Sequence, residues 1–263
     1  MSTPELIALD VDGTLLDPET QTISPAVKDA VARVLDSGAE VVVSTGRTFL
    51  GTQPILDELG LPGGYALCSN GAVLVDVAAR EPVSVTTFDA APVMAELAER
   101  LPGSIFATER VGIGSLVTAE FDPAKLHGPQ QRATPEELVA TGVPRLIAEW
   151  VDHDPDELLA ALRGVRLPEC TYTLDQYEPW VTVVPAGVSK GATLEKLRAE
   201  LGIAGELTFA AGDGDNDIEM LRWAAHGVAM GQARPEVHAV ADEIAGPVEE
   251  DGIAAVLHRL FGY

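Results

Sequence analysis

The chain has 263 residues, 46% of them hydrophobic and 22% charged, which supplies a substantial core and excludes disorder as the main state. Seventeen Lys and Arg against 41 Asp and Glu give a formal net charge of −24, a field that repels nucleic acid and anionic lipid, so neither is an expected partner. No run approaches the ~18 consecutive apolar residues of a membrane span. Met1–Glu5 has neither the basic start nor the apolar plug of a secretory signal.

Leu6–Val11 is a short unbroken apolar run, as expected of a strand covered on both faces. Ser24-Pro25 reads as a helix N-cap followed by proline at the first helical position, and Ser37-Gly38 as that helix's stop. A second buried strand is predicted at Glu40–Ser44, a helix at about Thr48–Leu59 and a third strand at Tyr65–Ser69. Strand and helix in alternation point to a parallel α/β sheet.

After Asn70-Gly71 the pattern changes. Ala72–Val75 and Val83–Thr86 read as a hairpin, and later apolar runs alternate with helices. Thr134-Pro135-Glu136-Glu137 and Asp154-Pro155-Asp156-Glu157 both have the form of a capping box. This stretch reads as an inserted α+β unit of residues 80–186. The α/β pattern then returns: helix at Ser189–Leu201, strand at Glu206–Ala211, short helix at Asn216–Ala224, strand at His226–Met230, and helices near Pro235–Val240 and Gly252–Leu260. Residues 1–79 and 187–263 would form one core domain. The two cysteines, Cys68 and Cys170, make no C-x-x-C and fit a reducing cytoplasm.

Ligands of parallel α/β sheets bind beyond the carboxyl ends of the strands. The first strand delivers Asp10 and, two residues on, Asp12. The second delivers Ser44-Thr45-Gly46-Arg47, and a later one Gly212-Asp213-Gly214-Asp215-Asn216-Asp217. Carboxylates gathered at one edge repel one another unless a cation sits among them. Oxygen donors with no Cys or His nearby in sequence favour Mg²⁺. Residues i and i+2 of an extended segment share a side, so Asp10 could attack an electrophile while Asp12 moves a proton at the leaving group. Lys190 is one of four lysines, and its position at a predicted helix start opposes the helix dipole, which points to a local reason for a cation.

Asp10-Val11-Asp12-Gly13-Thr14-Leu15-Leu16-Asp17 resembles the first motif of the haloacid dehalogenase (HAD) phosphatase superfamily. Ser44-Thr45-Gly46-Arg47 resembles its second motif, Gly187-Val188-Ser189-Lys190-Gly191 its third and Gly212–Asp217 its fourth. Asn70-Gly71-Ala72 and Asp251-Gly252-Ile253-Ala254 are similar to the Cof-type (class IIB) branch. Four runs in this order are far more specific than any one. The resemblance implies a Rossmann-like α/β core with an inserted α+β C2-type cap, and a Mg²⁺-dependent phosphatase acting on small phosphomonoesters such as sugar phosphates. It implies Asp10 as the nucleophile that forms an aspartyl-phosphate, Asp12 as general acid/base and Lys190 as the cation that steadies charge. Thr45, Gly46, Arg47 and Asn216 would then serve the substrate. Asp10, Asp12 through its backbone carbonyl, Asp213 and Asp217 would serve the metal, Asp217 by orienting a water.

Three other readings compete. A phosphomutase or phosphotransferase would use the same acid pair and return the phosphoryl group to a bound sugar. Gly187–Gly191 also fits G-x-S-x-G, the nucleophile elbow of Ser-His-Asp hydrolases, with Ser189, Asp213 or Asp217, and His226 or His238 in the right order. That reading leaves Asp10 and Asp12 idle. A non-catalytic regulator that binds phosphorylated metabolites is the third. Nothing in the sequence fixes the oligomeric state.

Overall fold

The first strand, β1 (Leu6–Leu9), is buried along its whole length in the computed structural model, which describes residues 3–123, 125–175 and 178–262. Met1 and Ser2, which open the leader reading above, lie outside the described residues. After β1 come α1 (Pro25–Asp36), β2 (Glu40–Ser44), α2 (Phe49–Leu59), β3 (Tyr65–Cys68), β4 (Val73–Asp76) and β5 (Glu81–Val85). Ser24 caps α1 by accepting from the Val27 amide at 3.1 Å, as the Ser-Pro pair predicts. Thr48 caps α2 in the same way through Gly51.

The next stretch contains α3 (Ala91–Arg100), β6 (Ile105–Arg110), β7 (Gly114–Val117), β8 (Gln130–Arg132), α4 (Pro135–Leu138), β9 (Leu146–Glu149), α5 (Pro155–Leu162), β10 (Cys170–Leu174) and β11 (Trp180–Pro185). Both expected capping boxes form, Thr134 with Glu137 and Asp154 with Glu157. The strands build a six-stranded sheet in the order β10-β11-β9-β6-β7-β8, antiparallel except at β7–β8. Phe106, Leu146, Ala148, Val181 and Val183 meet the helices on one face. On the other face Ala107, Val117 and Ile147 are covered by Phe121 and Leu126 of the β7–β8 loop.

The chain closes with α6 (Lys190–Leu201), β12 (Thr208–Gly212), α7 (Ile218–Trp223), β13 (His226–Ala229), α8 (Pro235–His238), β14 (Glu243–Ile244) and α9 (Gly252–Phe261). These strands join the first five in an eight-stranded sheet, β14-β13-β12-β1-β2-β3-β4-β5, parallel from β14 to β3. Ile7 and Leu9 face α1, α2 and α9, while Leu6 and Ala8 face α6, α7 and α8. Helices on both sides explain why β1 reads as unbroken apolar sequence. This is the expected α/β architecture with a second, inserted sheet.

One boundary moves. Glu81–Val85, assigned above to the inserted unit that starts at 80, pairs with β4 at the edge of the larger sheet. The hairpin was foreseen, but an edge strand exposed on both faces has no pattern that reveals which sheet it joins. Strand pairing places β5 in the larger sheet. No helix among the described residues is long and apolar enough to cross a membrane.

Candidate active site

The carboxyl ends of β1, β2 and β12 lie side by side, because the three strands are neighbours in the sheet. Asp10 follows β1 directly, and its amide donates to the Ala211 carbonyl at 3.0 Å, which keeps it in register with β12. The chain then folds back sharply: the amides of Thr14, Leu15 and Leu16 all donate to the Val11 carbonyl. Gly13 makes this turn at φ +82°, and a Cβ there would lie 2.2 Å from Asp213 Oδ2. Glycine therefore allows both the turn and the approach of the β12 carboxylate.

Ser189 caps α6 by accepting from the Ala192 amide at 3.1 Å, which fixes Lys190 as its first residue. Lys190 is 0% exposed. Its Nζ donates to Asp10 Oδ1 and to Asp217 Oδ1, each at 2.6 Å. Asp217 Oδ2 accepts from the amides of Asp213 and Gly214 at 3.0 and 2.9 Å. One ligand atom each from Asp10, Asp213 and Asp217 falls within a 4.8 Å cluster, and all three residues are buried.

The electrostatics follow from the count. Three carboxylates against one ammonium leave two negative charges in excess. Burial pushes the Asp10 carboxyl well above the usual range, and Asp217, Asp213 and Asp12 add to the push while Lys190 opposes it. Burial works against the Lys190 ammonium, yet Asp10 and Asp217 outweigh it and hold the group above the ordinary lysine range. Crowded negative charge raises both groups, adding to burial at Asp10 and outweighing it at Lys190. Buried, hard oxygen donors with an excess of two negative charges suit a divalent cation such as Mg²⁺.

The loop after β2 is laced to the loop after β3. Asn70 N donates to the Thr45 carbonyl at 3.0 Å and Ser69 N to the Arg47 carbonyl at 2.8 Å. Ser69 and Asn70 adopt left-handed backbone, φ 50° and 55°, a conformation that side-chain-bearing residues seldom take. Asn216 Nδ2 donates to Asn70 Oδ1 at 3.0 Å. A Cβ at Gly46 would sit 3.1 Å from that same oxygen. Asn216 therefore holds Asn70, and Asn70 also reaches Thr173 of β10 at 3.5 Å.

Arg47 forks onto Asp12, Nε to Oδ2 at 2.8 Å and Nη2 to Oδ1 at 2.5 Å. The Asp12 side chain is thereby turned to Arg47 and lies outside the three-carboxylate cluster. Thr45 is fully buried, its Oγ1 accepting from the Arg47 amide at 3.1 Å. The Ser-His-Asp alternative finds no geometry. Ser189 Oγ is spent on its helix cap, His226 pairs with Glu243 at 3.0 Å, and His238 meets the Met230 carbonyl at 2.9 Å.

A family model for haloacid dehalogenase-like hydrolases matches residues 7–102 and 152–257. This chain belongs to that family. As a haloacid dehalogenase-like hydrolase it is 30% identical over 266 residues to the 5-amino-6-(5-phospho-D-ribitylamino)uracil phosphatase YcsE of Bacillus subtilis, covering 97% of this chain and 95% of the relative. It is 30% identical over 277 residues to the pyridoxal phosphate phosphatase YbhA of Escherichia coli, covering 97% and 98%. Among solved structures, the HAD subclass IIB sugar phosphatase BT4131 superposes with a TM-score of 0.82 at 26% identity, covering 98% of this hydrolase and 99% of that chain. These three relatives are phosphatases, and the two-sheet architecture of this hydrolase is that of subclass IIB.

Four residues that sequence reasoning left out of the site stand beside it: Ser69 and Asn70 on the loop after β3, and Glu109 and Arg145 from the inserted unit. Asn70 lies in the Asn-Gly-Ala run noted above, so a signal for it existed. Glu109 and Arg145 lie in no motif. Their only mark is a charge on, or directly before, a strand that otherwise reads as buried.

Proposed function

We propose that this hydrolase is a Mg²⁺-dependent phosphatase of small phosphomonoesters, such as sugar phosphates or similar metabolites, working through an aspartyl-phosphate in a reducing cytoplasm. The buried trio of Asp10, Asp213 and Asp217 with Lys190 against it carries the reading. The phosphatase relatives support it. Residues 1–79 with 187–263, adjusted for β5, would be the catalytic core, and the inserted unit the cap that selects substrate.

Asp10, Asp213 and the backbone carbonyl of Asp12 are the residues that would hold Mg²⁺, with Asp217 orienting groups around it. When bound, the ion supplies positive charge that lets a carboxylate approach a phosphate dianion. Lys190 occupies Asp10 Oδ1, which leaves Oδ2 for attack on phosphorus in line with the ester oxygen. A P–O bond to Asp10 forms as the ester P–O bond breaks. The departing oxygen takes a proton from Asp12. Asp12 then takes a proton from water, the water oxygen bonds to phosphorus, and the Asp10–phosphorus bond breaks to release phosphate. The Thr45 hydroxyl and neighbouring amides face the phosphoryl oxygens, whose spread negative charge is what positioning and cations stabilise. Arg47 now holds Asp12. An arriving phosphate competes for the guanidinium and frees the acid for its work.

Phosphate release from a panel of sugar phosphates, nucleotides, flavin phosphates and pyridoxal phosphate, with and without Mg²⁺, tests the reading. Release that EDTA abolishes and Mg²⁺ restores is the expected result. An isomerised sugar phosphate without free phosphate would instead mark a phosphomutase, and binding without turnover a regulator. Asp213→Asn should weaken Mg²⁺ binding by about tenfold or more in calorimetry, because it removes one anionic donor from three; unaltered affinity would remove Asp213 from the ligand set. Asp12→Asn should slow both steps and lower kcat by about 100-fold to 10,000-fold. An unchanged rate would end its acid/base role.

A further inference from the structure

Two charged side chains of the inserted unit are buried against the loops of the active site. Glu109 on β6 and Arg145, just before β9, are 5% and 6% exposed. β6 and β9 pair antiparallel as far as Thr108 opposite Leu146, and Glu109 and Arg145 are the next residues beyond that end of the ladder. Glu109 lies just past Ala107 and Arg145 just before Ile147, two members of the apolar cluster on the helix-free face of that sheet. Charge buried beside such a cluster is unfavourable unless it finds directed partners.

The partners are core backbone and one core hydroxyl. Glu109 Oε1 accepts from the Phe49 amide at 3.0 Å, and Oε2 accepts from the Ser69 hydroxyl. Phe49 is the first residue of α2, an end that favours negative charge. Arg145 Nη1 donates to the Gly46 carbonyl. Gly46 lies between Thr45 and Arg47, and Ser69 is bonded through its own amide to the Arg47 carbonyl. The two cap charges thus grip both members of the laced loop pair that carries Thr45, Arg47 and Asn70. An apolar seam would join the two units as well. It would not aim hydrogen bonds at the backbone of these loops.

We propose that Glu109 and Arg145 are positioning residues for phosphoryl transfer, fixing the 45–49 and 69–71 loops so that the Thr45 hydroxyl, Arg47 and Asn70 surround the phosphoryl group. The proposal rests on the phosphatase reading above. Both residues fall in the stretch 103–151, outside the residues the family model matches.

The test uses the full chain with para-nitrophenyl phosphate and Mg²⁺. Glu109→Ala should lower kcat by about 100-fold, the effect of roughly 1 Å of misplacement among catalytic groups. Its Mg²⁺ affinity should match wild type, since no proposed metal ligand is touched. Glu109→Gln should recover most of the loss, because the amide can accept from Phe49 N–H and donate to the Ser69 oxygen. If Glu109→Ala fails to fold, Ser69→Ala serves: it removes one hydroxyl and should cost about tenfold in kcat. An active wild type with Ser69→Ala and Glu109→Ala matching its kcat per folded molecule would overturn the positioning role alone. So would a loss in Glu109→Ala that only follows a smaller folded fraction. A wild type that frees phosphate from no phosphomonoester would overturn the phosphatase reading, and this proposal with it.

Discussion

Asp10→Asn is expected to lower kcat by about 10,000-fold or more, since losing a nucleophile removes the reaction path rather than weakening one contact. The same substitution should stabilise the metal-free protein at neutral pH. Burial and the neighbouring carboxylates raise the Asp10 carboxyl above its ordinary range. Such a group contributes stability while it is protonated, and loses that contribution as pH rises through its folded value. At pH 7 without metal, above the range where a free aspartate protonates, the raised Asp10 carboxyl is therefore a cost to the fold, and asparagine removes it while keeping an oxygen for Lys190. Tm measured in EDTA should be higher for Asp10→Asn than for wild type at pH 7. The gap should close as pH falls toward about 4, where a free aspartate protonates. Saturating Mg²⁺ should reverse the order, because the ion binds the form with its full donor set more tightly and so stabilises it more. Near-normal turnover would remove Asp10 as nucleophile. A lower Tm in EDTA at pH 7 would show that its pairing with Lys190 outweighs the repulsion.

The parallel core was legible because its strands are buried on both faces and bounded by helix caps that local chemistry dictates, as Ser24 and Thr48 show. Its edges were not. β14 is two residues long, and β8 is Gln-Gln-Arg at the rim of the smaller sheet; neither carries an apolar alternation to read. Glu206 and Leu207, expected in a strand, sit in a 3₁₀ turn before β12, and the strand runs on to Gly212. For the site, spacing brings Asp10 and Asp12 to one strand end, yet it cannot reveal that Asp12 turns to Arg47 while Asp10 turns to Lys190. That division depends on contacts between residues 35 and 180 positions apart. Glu109 and Arg145 were invisible for a related reason. A charged residue at a strand's end normally faces solvent, and the packing of the smaller sheet against the loops of the larger makes these two interior.

Lys190→Met should produce the largest combined loss. Methionine fills much of the same volume, so the change isolates the charge. Asp10 and Asp217 would keep their burial and lose the ammonium that both contact. Breaking a buried pair by removing one partner costs about 3–5 kcal/mol, a fall in Tm of about 10 °C for a chain of this size. Turnover should drop by about 1,000-fold, because the cation that steadies the transferring group goes with it. The pH dependence separates charge from packing. Asp10 and Asp217 hold the Lys190 ammonium above the usual lysine range, so its stabilisation is complete below about pH 10.4 and fades only as pH rises through the folded value. Wild type should therefore show an alkaline decline in Tm that Lys190→Met lacks. The variant should instead regain stability as pH falls, because protonating a crowded carboxyl relieves the repulsion that the lysine no longer offsets. Calorimetric Tm profiles in EDTA from about pH 4 to about pH 11, which span the carboxyl transition and reach the onset of the alkaline decline, distinguish these cases. Parallel profiles for the two proteins, with equal kcat, would mean that Lys190 contributes only bulk.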